Sequence, residues 1–108
     1  MERRALDMAL KEVYMIPTRQ GVKKHELRTA TEYWVNKLVD VESYGGKTAL
    51  QIRAGLVDGT LELKPRNWTH ILFHQSGSTE TLLVEIKEIV FIKYHLGFII
   101  KLGEVIKD

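Results

Sequence analysis

The sequence predicts an α+β protein: a small β-barrel of five or six strands with two helices packed at its side or end. Three observations lead there. Short segments of alternating apolar and polar residues recur through the second half of the chain, separated by glycine-containing turns. Two segments with helical apolar spacing lie early, before most of the strands. The chain has 108 residues, the length of one domain with one modest core.

The elements follow in order. Residues 3 to 16 read as a helix, with Ala5, Leu6, Met8, Ala9, Leu10 and Val13 as its apolar face and good helix formers elsewhere. Pro17 is expected to end it. A polar loop leads to the first strand, Val22 to Arg28. Thr29-Ala30-Thr31-Glu32 has the form of a capping box, so a second helix starts at Thr29 or Thr31. Trp34, Val35, Leu38 and Val39 give its buried spacing, and Tyr44-Gly45-Gly46 closes it.

From Lys47 onward the pattern is mostly strand. Thr48 to Ile52 alternates, Asp58-Gly59 has the form of a hairpin turn, and Thr60 to Lys64 alternates up to Pro65. Thr69 to His74 is another strand, followed by the turn-rich Gln75 to Thr79. Thr81 to Ile89 places Leu83, Glu85 and Lys87 on one face and Leu82, Val84 and Ile86 on the other. Phe98 to Leu102 is the last strand, with room to run on to Ile106. There is no internal repeat, low-complexity segment or linker, so residues 1–108 read as a single domain.

Composition narrows the function classes. The net charge is +2, which does not by itself mark a nucleic-acid binder but permits one if the charge is clustered. There is no cysteine, which removes disulfides and thiolate metal sites. No segment approaches the roughly 18 apolar residues of a membrane span. Met1-Glu2-Arg3-Arg4 has no apolar run behind it, so no secretory signal is expected. A cytoplasmic protein without membrane attachment is the expectation, and no cofactor is indicated.

The densest chemistry lies at Lys23-Lys24-His25-Glu26-Leu27-Arg28. In an extended segment Lys24, Glu26 and Arg28 share one face, and His25 and Leu27 the other. A carboxylate among cations can bind a polar or anionic ligand, and a Lys with a Glu can also move protons. An ordinary surface ion pair is the plainer alternative. In the second cluster, His70, Leu72 and His74 share a strand face that runs into Gln75-Ser76-Gly77-Ser78. The turn's backbone N–H groups and hydroxyls suit a phosphate or a base edge. The two histidines would stand about 13 Å apart on a strand, too far to share one metal, so no metal site is expected. Tyr33, beside Trp34 at the start of the second helix, is positioned to stack on a base. The usual nucleophile-elbow, phosphate-loop and zinc-protease patterns are missing. Any catalysis would fall to Lys, Glu, His, Tyr or Thr.

Taken together these segments resemble the ASCH domain of the PUA-like β-barrel superfamily. Gly21-x-Lys23-x-x-Glu26-x-Arg28 is similar to the family's GxKxxExR run. Tyr33-Trp34, Trp68 to Gly77, Val84-Glu85-Ile86-Lys87-Glu88-Ile89 and residues 100 to 106 resemble later segments in the same order. The likeness spans about residues 5 to 106. It departs in lacking a Gly-Asp pair after Tyr44 and in carrying Pro17 and Arg19 before Gly21.

The resemblance implies RNA or nucleotide binding in a cleft built on the GxKxxExR run. Lys24, Arg28, Tyr33, His70, His74 and Ser76 are then the candidate binding residues. It also implies an alternative, a hydrolase acting on RNA or on a modified nucleoside such as N4-acetylcytidine, with Lys23 and Glu26 as catalytic candidates. In the deacylating members a Thr stands where this chain has Glu26, and a downstream Glu takes part; Glu85 and Glu88 are in the right order for it. A third alternative is a protein-interaction domain that keeps the fold without a working site.

Overall fold

In the computed structural model, residues 2–106 are described. The order of elements is β1 (Ala5–Leu10), α1 (Glu12–Arg19), β2 (His25–Thr29), α2 (Glu32–Leu38), α3 (Ala49–Asp58), β3 (His70–Gln75), β4 (Thr81–Ile92) and β5 (Gly97–Ile106). Short 3-10 turns occupy Val41–Tyr44 and Lys93–His95. The fold is α+β, with five strands in one mixed sheet of order β1-β3-β4-β5-β2. β1 runs parallel to β3, with Leu6 opposite Ile71 and Met8 opposite Phe73. β3 runs antiparallel to β4, with Ile71 opposite Val84 and Phe73 opposite Leu82.

The chain divides into two compact units. The first holds the chain up to Glu26, Asn67–Glu88 and the chain from Ile100 on. Its buried residues include Leu6, Met8, Leu10, Met15, Ile71, Phe73, Val84 and Ile100. The second holds Leu27–Arg66 and Ile89–Ile99. Val35, Leu38, Val39, Ile52, Leu56 and Phe98 are buried there.

The strand count agrees with the sequence, but three expectations are corrected. Residues 5 to 10 form a strand, not the start of a helix over 3 to 16. Ala, Leu and Met favour helices intrinsically, but side-chain pairing with neighbours decides in a sheet. Leu6, Met8 and Leu10 are buried while Ala5, Asp7 and Ala9 are exposed, the period-two pattern of a strand. The two alanines had completed an apparent helical face.

Pro17 lies inside α1 and does not end it. The hydrogen bond it cannot donate would go to the carbonyl of Val13, an exposed residue in the first turn that water can reach.

The third correction concerns residues 48 to 64, which hold a third α-helix where two strands and a hairpin were expected. Thr48 and Gln51 form a reciprocal capping box, and Ala49, Ile52, Gly55 and Leu56 make the buried face. Gly59 then takes a left-handed φ of 81° as the cap of α3. Helix caps and hairpin turns both exploit that conformation, so the Asp58-Gly59 pair did not distinguish them. Residues 60 to 64 form no strand. They are held by the buried Tyr44, whose hydroxyl donates to the Glu62 carbonyl at 2.5 Å and accepts from the Lys64 amide at 2.8 Å.

Burial is the largest influence on the Tyr44 phenol and raises its pKa above 10.0; the Lys64 amide opposes this, and Asp40 and Glu62 add to the rise. The neutral phenol is therefore the form the fold accepts. Its contribution is complete below the unfolded value and is lost as pH climbs through the folded one. Tyr44→Phe is expected to cost about 1–3 kcal/mol at neutral pH, because the Lys64 amide and Glu62 carbonyl lose their partner. Urea unfolding from pH 7 to 11 should show the wild type losing its advantage over the variant at the alkaline end. A variant as stable as wild type at pH 7 would contradict the role given to Tyr44.

Candidate functional site

The site begins at the end of α1. The Gly21 amide donates to the Thr18 carbonyl at 3.1 Å and the Val22 amide to the Pro17 carbonyl at 3.0 Å. Gly21 sits at φ 73°. This is the Schellman arrangement, which satisfies the last carbonyls of a helix and calls for a residue tolerant of left-handed backbone. The first glycine of the GxKxxExR run is thus a helix stop. The Lys23 amide also donates to the Pro17 carbonyl, at 3.1 Å. Pro17 therefore fixes the backbone from which Lys23 projects.

β2 then presents its faces in an unusual sense. Glu26 is 4% exposed and Leu27 is 59% exposed. The strand turns a carboxylate inward and a leucine outward, the reverse of what burial of apolar surface favours. Lys23 offsets the cost: its Nζ meets Glu26 Oε2 at 2.5 Å. The same ammonium lies 5.0 Å from the ring centroid of Tyr14 on α1, within cation–π range. Tyr14 itself is 49% exposed.

A groove of about 470 Å³ opens in the same unit, lined among others by Arg19, Gly21, Lys24, Lys87, Gly103 and Glu104. Lys24 and Lys87 make no ion pair with any described residue. Arg19 reaches Glu80 at 3.1 Å, with both side chains about half exposed. A Cβ on Gly103 would overlap Glu85 Oε1, so glycine there gives the carboxylate its place. Glu85 stands opposite His70 in the ladder. Glu88, the other candidate for a downstream Glu, instead pairs with Lys101 at 3.0 Å on the surface.

The remaining predicted residues fall as follows. His70 is half-buried and its Nδ1 lies 2.7 Å from Thr69 Oγ1. His74 is exposed and its Nε2 lies 2.8 Å from Asp7 Oδ1. Ser76 is exposed, and its amide donates to the Leu10 carbonyl. The Gln75, Ser78 and Glu80 amides also donate within the protein, which leaves that turn few donors for a phosphate. Arg28 and Tyr33 belong to the second unit. There the Arg28 guanidinium stands 5.3 Å from the Trp34 ring centroid, and Trp34 meets Tyr33 edge-to-face at 5.0 Å. Lys37 lies over Tyr33 at 5.7 Å. Among the described residues no three His, Asp or Glu side chains gather closely enough to hold a metal ion.

Tyr14 and Lys87 were not among the residues picked from the sequence. Lys87 was legible as a member of the Glu85 strand face but carried no motif of its own. Tyr14 was absorbed into the expected helix over 3 to 16, though it stood outside that helix's apolar spacing. No protein-family profile, curated protein or solved structure matches this chain.

The Lys23–Glu26 pair makes a measurable distinction. Removing one partner costs the other its ion pair, whereas replacing both with apolar residues of similar size is often neutral or stabilising. Lys23→Ala is expected to cost about 1–3 kcal/mol in urea unfolding, since Glu26 is buried and Lys23 partly exposed. The pair Lys23→Met with Glu26→Leu should return to within about 1 kcal/mol of wild type. A double variant less stable than Lys23→Ala alone would mean that the pair is there to hold the fold.

Proposed function

We propose that this chain is a nucleic-acid-binding module of ASCH type that takes single-stranded RNA or a nucleotide. The observation that carries the reading is the inward Glu26 charge-paired with Lys23 while Leu27 faces solvent. A strand that gives up an apolar position to a hydrogen-bonded ion pair departs from what stability alone favours, and such departures are expected at functional sites. Lys24 and Lys87, without an ion pair among the described residues, supply charge in the groove for phosphate, which dominates nucleic-acid affinity. In the second unit, Arg28 and Lys37 flank the Trp34 and Tyr33 rings, the composition on which unpaired bases stack.

Binding is favoured over hydrolysis by the state of Lys23. An ammonium engaged with a carboxylate donates hydrogen bonds but has no free electron pair for nucleophilic attack. The Thr of the deacylating members is also absent, with Glu26 in its place.

Fluorescence anisotropy of a labelled single-stranded RNA 12-mer across a salt series tests this. Wild type is expected to bind with affinity falling linearly on a log–log plot. Lys24→Ala combined with Lys87→Ala should reduce the slope by about 1.4, from roughly 0.7 for each lost phosphate contact on a single strand. Absence of binding, or a slope unmoved by the double variant, would overturn the reading. Turnover of N4-acetylcytidine or of the RNA by wild type and not by Lys23→Ala would replace it with the hydrolase.

A further inference from the structure

We propose that Tyr14, with Lys23 against one face of its ring, is a stacking platform for a planar heterocycle of the ligand. This rests on the RNA or nucleotide reading and extends it to a residue outside the motif. Tyr14 is anchored through its backbone and only partly covered. Its backbone is secured at both ends: the Tyr14 amide donates to the Lys11 carbonyl at 2.9 Å, and the Tyr14 carbonyl accepts from the hydroxyl of buried Thr18 at 2.6 Å. The Lys23 ammonium sits against the ring, and Glu26 and Pro17 in turn hold Lys23. Yet Tyr14 as a whole residue is 49% exposed.

Other exposed apolar residues lie close to Tyr14 in the chain. Val13, Ile16 and Val22 are exposed near Tyr14 in the chain, so four of the nine large hydrophobic residues exposed among the described residues fall between positions 13 and 22. Isolated exposed apolar residues are ordinary, but here they leave much of the outer side of one short helix and its terminal turn apolar. The same turn supplies Arg19 and Gly21 to the cationic groove. An aromatic ring and an ordered ammonium, with the groove lysines Lys24 and Lys87 in the same unit, match a base joined to a phosphate better than they match a purely apolar partner. Stacking requires only a π-face, so the platform would tolerate any base.

Two oligomers of equal length and charge separate stacking from phosphate binding: the RNA 12-mer and an abasic backbone 12-mer. Wild type is expected to prefer the base-bearing strand. Tyr14→Leu should lower affinity for the RNA roughly tenfold, leave the abasic strand and the salt slope unchanged, and keep the fold because Tyr14 is half exposed. Tyr14→Phe should restore RNA binding. Equal RNA binding by Tyr14→Leu and wild type would overturn the platform while leaving the broader reading intact; failure of wild type to bind RNA would overturn both. Equal losses on both oligomers would assign Tyr14 a structural role and also overturn the platform. Should Tyr14→Leu fail to fold, photocrosslinking of wild type to 4-thiouridine RNA decides, with adducts expected within residues 13–16 and their absence there counting against the proposal.

Discussion

Glu26 is a carboxylate placed where the sheet would otherwise bury a hydrocarbon, and the organisation of the site follows from keeping it there. A buried charge without a partner costs several kcal/mol. The partner must therefore be delivered accurately, and Lys23 is only three residues away. A lysine on a free loop would give up side-chain entropy to make the pair. Here much of the ordering is already done by the end of α1, where the Gly21 turn closes the helix and the Pro17 carbonyl accepts from the Val22 and Lys23 amides. One proline carbonyl thus secures both the helix end and the residue that neutralises Glu26.

That arrangement also determines what kind of chemistry the site can offer. The ammonium of Lys23 touches a carboxylate on one side and an aromatic ring on another. It is an oriented donor. Lys24, next in the chain, lies in the groove with Lys87 and without a described ionic partner. Neighbouring residues thus differ in surroundings: Lys24 lines the groove, while Lys23 and Glu26 are fixed to each other. Glu85, seated where Gly103 lacks a side chain, adds a carboxylate on β4 in the same unit. The second unit carries a separate series of cations and rings on α2 and Arg28, built on Trp34.

The sequence was most legible where local chemistry and global packing agree. β3, β4, β5 and the turn between β3 and β4 were read from alternation, and α2 from Thr31, which accepts from the Trp34 amide as its cap. It was least legible where local preference yields to context. Ala5 to Leu10 has the composition of a helix and becomes a strand because Ile71 and Phe73 lie alongside it. Asp58-Gly59 ends a helix with the same backbone that would have turned a hairpin. At the site, alternation grouped Glu26 with Lys24 and Arg28, whereas β2 starts only at His25 and the buried carboxylate pairs with Lys23; alternation also could not say which face is buried. Hydrophobicity would have turned Leu27 inward. Tyr14 was beyond reach, since its significance comes from Lys23 and not from any pattern around it.

The most direct measurement is a proton–nitrogen NMR spectrum of the lysine ammonium groups at neutral pH. Exposed ammonium protons exchange with water too fast to give sharp signals, whereas one held by a buried carboxylate is protected. The account requires a protected resonance that disappears in Glu26→Gln and shifts when single-stranded RNA is added. If no ammonium is protected, or if the protected one ignores RNA, the inward carboxylate and its lysine are not the foundation of a binding site.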